Sequence, residues 1–133
     1  MSDSPPGFTI AVVDDDRRIL GSLEALLESA DYVVRVFDSA KAMLDSGCLA
    51  EIDCLISDVG MPMMDGYELL QVARAARPGL PVILISGRSD VMARAPGPGD
   101  AQCQLFRKPF KGGELLAAVS GALQSSRIST PRP

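Results

Sequence analysis

Short apolar runs that each stop at a polar side chain constrain this chain most. Ile10-Ala11-Val12-Val13 runs into Asp14-Asp15-Asp16, and Cys54-Leu55-Ile56-Ser57 runs into Asp58. Val82-Ile83-Leu84-Ile85 runs into Ser86, and Leu105-Phe106-Arg107 runs into Lys108-Pro109. β-Branched runs of this length, bounded by turn residues, read as buried strands of a parallel sheet. In an open α/β sheet, ligands bind at the carboxyl ends of the strands. If the runs lie side by side, acids, a hydroxyl and an ammonium converge on one edge. That set suits a divalent cation and a phosphoryl group.

Between the runs lie helical patterns. Ile19, Leu20, Leu23, Leu26 and Leu27 share one face of a helix expected over Arg17 to Ala30, with Asp16 placed to cap it. Ser39 caps a short helix to about Asp45 after a second strand, Val33 to Phe37. Leu69, Leu70, Val72 and Ala73 point inward from a helix over Gly66 to Ala76, which Pro78-Gly79 ends. Leu115, Leu116, Val119 and Leu123 do so in a last helix over Gly113 to Gln124. Strands alternating with helices predict a parallel sheet covered on both faces. Residues 1–8 read as a flexible arm, 9–124 as one domain, and 125–133 as a polar tail.

Composition narrows the function. A chain of 133 residues with 47% hydrophobic and 23% charged residues can bury a real core as one domain. The net charge of -4 argues against a nucleic-acid or membrane-surface binder. No apolar stretch is long enough to span a bilayer, and Met1 to Gly7 lacks the features of a signal peptide. The expected location is therefore cytoplasmic. Cys48, Cys54 and Cys103 lack metal-ligand spacing and read as reduced thiols. With no histidine in the chain, the usual zinc sites and His-dependent triads are excluded.

Each candidate has a chemical reason. Adjacent acids at a strand end repel one another, and a hard cation with oxygen ligands offsets that cost. An acidic run alone is more often a solvated turn, but here Asp58 ends a second apolar run. An ionised Asp58 can attack phosphorus. Ser86 can donate to a phosphoryl oxygen. Lys108 can act as a compact point charge between Asp58 and the incoming group.

Val12-Val13-Asp14-Asp15-Asp16, Ser57-Asp58-Val59-Gly60-Met61-Pro62-Met63-Met64-Asp65-Gly66, Ile85-Ser86-Gly87 and Lys108-Pro109-Phe110 resemble the response regulator receiver domain of two-component signalling. The resemblance runs from about Thr9 to about Gln124. It implies a flavodoxin-like three-layer fold with five parallel strands in the order 2-1-3-4-5. It implies a phosphoryl group accepted on Asp58 from a histidine kinase or phosphotransfer protein. Mg²⁺ would sit on Asp15, Asp58 and the Gly60 carbonyl, with Asp14 acting mostly through water. Ser86 and Lys108 complete the site, a cis peptide at Pro109 aims Lys108 inward, and Arg88 and Gly60 flank the nucleophile.

The same resemblance implies that the chain is not an enzyme beyond self-phosphorylation and slow autodephosphorylation. It implies a downstream protein partner; the net charge of -4 argues against direct nucleic-acid or membrane contact, and a loose segment from Pro96 would leave a monomer or weak dimer. No effector follows Gln124, so a single-domain regulator or an excised receiver is expected.

Two departures stand out. Leu105 occupies the switch position where the family commonly has an aromatic residue. Pro96, Gly97, Pro98 and Gly99 interrupt the family's fourth helix, which should stop near Ala95 and give way to an irregular loop. Both favour an alternative, a degenerate receiver kept as a docking or dimerisation module. A metal-dependent phosphohydrolase is a third reading. It needs an acid two residues after the nucleophile, and Gly60 cannot serve.

Overall fold

Alternation within the apolar runs decides which core each residue joins. Successive strand residues point to opposite faces of a sheet. Thus Ile10 and Val12 enter one core, while Ala11 and Val13 enter the other. The computed structural model describes residues 8–60, 66–86, 103–107 and 111–129. Within them the order is β1 (Thr9–Val13), α1 (Arg17–Glu28), β2 (Val33–Phe37), α2 (Ala40–Ser46), a 3₁₀ turn (Cys48–Ala50), β3 (Cys54–Asp58), α3 (Gly66–Ala76), β4 (Val82–Ser86), β5 (Cys103–Arg107) and α4 (Gly112–Ser129). The strands form one sheet in the order β2-β1-β3-β4-β5, every neighbouring pair parallel.

Helices α1 and α4 cover one face of the sheet. Leu20, Leu23 and Leu27 pack there with Leu115, Val119 and Leu123 on Ile10, Val12, Cys54, Ile56, Ile83 and Ile85. Helices α2 and α3 cover the other, with Met43, Leu69, Leu70 and Ala73 on Ala11, Val13, Leu55 and Leu84, whereas Val72, expected inward, is 37% exposed. Each fully buried Leu or Ile stabilises the fold by roughly 1.5–3 kcal/mol. The centre of the sheet is therefore its most firmly held part, and all five residues of β3 are buried.

Local chemistry sets the element ends. The Asp16 carboxylate accepts the Arg18 amide at 2.9 Å and starts α1. Ser39 Oγ accepts the Ala42 amide at 3.1 Å and starts α2. α2 ends at Gly47, whose φ of 77° is cheap only without a Cβ. α1 stops at Glu28, two residues before the expected Ala30. Asp31 takes a φ of 72°, which reverses the chain into β2; aspartate tolerates that region better than most residues.

Two expected boundaries shift outward by two residues or more. α4 runs through Ser129, so the polar stretch after Gln124 begins as helix. β5 starts at Cys103, ahead of Leu105. The expectations for residues 1–7, for the Met61–Asp65 loop, for Arg88, for the interrupted fourth helix and its Pro96–Gln102 loop, and for the Pro109 peptide all lie outside the described residues. Among the described residues, no helix is long and apolar enough to cross a membrane.

Candidate functional site

Register brings the acids together. Val13 at the end of β1 lies level with Ser57 of β3. The next residue on each strand is an aspartate, Asp14 and Asp58, and Asp15 follows Asp14. Carboxylate oxygens of Asp14, Asp15 and Asp58 all lie within 4.8 Å of one another. Asp14 and Asp58 are buried, at 1% and 8% exposure, while Asp15 is exposed. The pocket thus has a sheltered floor and an open side.

The neighbouring backbone holds this arrangement. The Asp14 amide donates to the Phe37 carbonyl at 3.1 Å, which ties the pocket to the edge strand β2. Asp14 Oδ1 accepts the Asp16 amide at 2.9 Å. On the other side, the Val59 amide donates to the Ile85 carbonyl at 2.8 Å. Ser57 Oγ donates to the Asp58 carbonyl at 3.0 Å inside the core. Both strand ends are therefore anchored before any ligand arrives.

Carboxylates grouped this closely repel one another. Two unit charges about 4 Å apart interact by about 1 kcal/mol in water and about 4 kcal/mol at the effective dielectric near a protein surface. Three clustered carboxylates thus favour a site that takes up positive charge. Their donor atoms are all carboxylate oxygens, which fits a hard divalent cation. Asp16 stands apart from this set. Its carboxyl is held below the usual carboxylate range, chiefly by the Arg18 backbone amide that it caps.

The remaining candidates come from adjacent strand ends. Ser86 is the last residue of β4, one past Ile85, which lies level with Asp58. Its backbone is therefore at the same edge; its hydroxyl lies outside the described side chains. Arg107 ends β5 level with Ser86. Lys108 follows it and, with Pro109, lies outside the described residues. Gly60 is exposed two residues past Asp58, and a side-chain carbon built on it meets nothing within 4 Å. Leu105 lies level with Leu84 within β5. The sequence carries no sign of the hydrogen bond between Phe37 and Asp14. That bond rests on the pairing of two backbones, for which no side chain gives a signal.

A parallel sheet in this order, with a cluster of three carboxylates at the carboxyl ends of β1 and β3, defines a flavodoxin-like α/β protein. The family model for the response regulator receiver domain matches residues 10–120, and the chain belongs to that family.

The chain is 34% identical over 117 residues to the transcriptional regulatory protein FixJ of Bradyrhizobium diazoefficiens, covering 88% of this chain and 57% of FixJ. It is 32% identical over 126 residues to the response regulator protein TodT of Pseudomonas putida, covering 92% of this chain and 56% of TodT. It thus spans little more than half the length of either relative. The signal receiver domain of an HD domain-containing protein from Pseudomonas fluorescens Pf-5 superposes with a TM-score of 0.81 at 30% identity, over 92% of this chain and 98% of that one.

Proposed function

We propose that this receiver accepts a phosphoryl group on Asp58 from the phosphohistidine of a histidine kinase or phosphotransfer protein. The observation that carries the reading is the grouping of Asp14, Asp15 and Asp58 within 4.8 Å at the end of the buried strand β3. Membership of the receiver family supports it.

In this reading an Asp58 carboxylate oxygen attacks phosphorus. An O–P bond forms, the donor's N–P bond breaks, and the imidazole leaves on the donor protein. Asp15, Asp58 and the Gly60 carbonyl would hold Mg²⁺, with Asp14 assisting through water. When bound, the cation supplies neutralisation of the charge that builds on the transferring group. Lys108 adds a second positive charge, and the Ser86 hydroxyl donates to the new phosphoryl oxygen. The protein's part is positioning and electrostatics. Beyond this self-phosphorylation and a slow autodephosphorylation it is not an enzyme. It acts in the cytoplasm as a monomer or weak dimer, through a protein surface, with no direct nucleic-acid contact.

Leu105 favours a second reading. An aliphatic side chain at the family's aromatic switch position suits a docking module that keeps the fold without a phosphorylation switch. One experiment separates the two. Incubation with Mg²⁺ and acetyl phosphate should add a single phosphoryl group to the wild type and none to Asp58→Asn. Stoichiometric labelling of Asp58→Asn would remove Asp58 from its role. An unlabelled wild type would favour the docking module.

A further inference from the structure

A groove of about 470 Å³ opens at the outer edge of the sheet, where α1 and α2 flank the end of β2. The two helices lie on opposite faces, so the groove wraps around the edge strand. Its floor is apolar, with Leu20 from α1 and Val36 and Phe37 from β2. Its rim is charged, with Glu24 and Asp38 set against Arg17. Arg17 pairs with Asp38 at 3.5 Å, and both side chains are mostly exposed. The lining holds two carboxylates and one guanidinium, so it carries a negative excess.

Gly21 adds an independent observation. It lies inside α1, where glycine is a poor choice. A side-chain carbon built there meets nothing within 4 Å, so packing does not require glycine. What its absent side chain does is keep one wall of the groove at backbone level.

A long aliphatic stem ending in a cation matches a floor and rim of this kind. We infer that the groove takes a lysine or arginine side chain, with an apolar neighbour, from a partner polypeptide. The stem lies along Leu20 and Phe37, and the cation meets Glu24 and Asp38. A partner seated there touches Phe37, whose carbonyl holds the Asp14 amide. The binding inference does not depend on whether Asp58 accepts a phosphoryl group.

The test is an NMR titration of the full chain with the acetylated, amidated tripeptide Leu-Arg-Leu, against the same peptide with Glu in place of Arg. Saturable shifts are expected at Gly21, Glu24, Val36 and Asp38 with the cationic peptide, weakening as salt is raised. Glu24→Gln should weaken binding about two- to fivefold, the range for a partly exposed ion pair. Gly21→Met, a good helix former whose side chain fills the groove, should abolish saturable shifts while its melting curve shows an intact fold. No saturable shifts at these residues, equal binding of the acidic peptide, or undiminished binding by folded Gly21→Met would each overturn the inference. Binding of n-butylguanidine as tight as that of the tripeptide would overturn the polypeptide partner.

Discussion

Asp14 Oδ1 accepts the backbone amide of Asp16 at 2.9 Å, so one oxygen of the most buried acid in the pocket is committed to shaping its own loop. Asp15, between them, faces solvent. One acid builds the turn and the next is open to an incoming ion.

That division predicts how the pocket responds to Mg²⁺. At tenfold excess over its Kd, the ion should stabilise the fold by about 1.4 kcal/mol, or about 5 °C in melting temperature for a domain of this size. Asp15→Asn should lose most of that increment. Without metal, Asp58→Asn should melt above the wild type, because it removes one of three mutually repelling carboxylates. Differential scanning calorimetry in EDTA and in Mg²⁺ reads both effects; superimposable wild-type curves would argue against a cation site.

Asp16 is expected to act as a helix cap. Asp16→Ala should lower the melting temperature, and Asp16→Asn, which can accept the same amide, should recover most of the loss. The pH dependence has a defined sign. The folded carboxyl sits below its ordinary value of 3.8. Its contribution is therefore present above pH 3.8 and disappears as the pH falls through the lower folded value. Acid titrations of wild type and Asp16→Asn should converge at the lowest pH. Curves that stay parallel would mean that the cap is not the source.

Arg77 just past α3 donates from Nη1 to the Leu49 carbonyl at 3.0 Å and also to the Ile52 carbonyl. It ties the 3₁₀ turn before β3 to the end of α3. Arg77→Leu leaves these carbonyls without that donor and should cost about 1–3 kcal/mol. Urea unfolding should show a lower midpoint with an unchanged slope, whereas an unchanged midpoint would show the clamp to be idle.

Cys54 is fully buried, and burial pushes its thiol from 9.0 up to about 12, with Asp53 adding to the shift. Between those values the unfolded thiol ionises and the folded one does not. Stability should therefore hold below pH 9 and fall above it, by at most roughly 1.4 kcal/mol per pH unit from this group. Cys54→Ala should show a shallower alkaline slope. Identical slopes would assign the loss to other groups.

The sheet was legible because strands buried on both faces show as unbroken apolar runs, such as Ile10 to Val13 and Cys54 to Ile56, each stopping at a polar residue. The Asp16 and Ser39 caps were legible because each precedes a helical apolar stripe. The acids of the pocket could be read because each ends a strand, and parallel strands end at a common edge. The 3₁₀ turn at Cys48–Ala50 is too short to show periodicity. The end of α1 at Glu28 depends on the reversal at Asp31, which no apolar spacing marks. The extension of α4 to Ser129 runs through Ser125, Ser126 and Arg127, whose side chains say little about helix or coil. Arg77 reads as one more charged residue until the fold brings two distant carbonyls to it.

Among the described residues, the buried side chains form two clusters, one on each face of the sheet. Substitutions deep in opposite clusters should therefore have costs that add. The lineage of this chain could thus rework the α1–α4 side for one recognition task while the α2–α3 side went on bearing the domain. Novelty on one surface need not be purchased with disorder beneath the other.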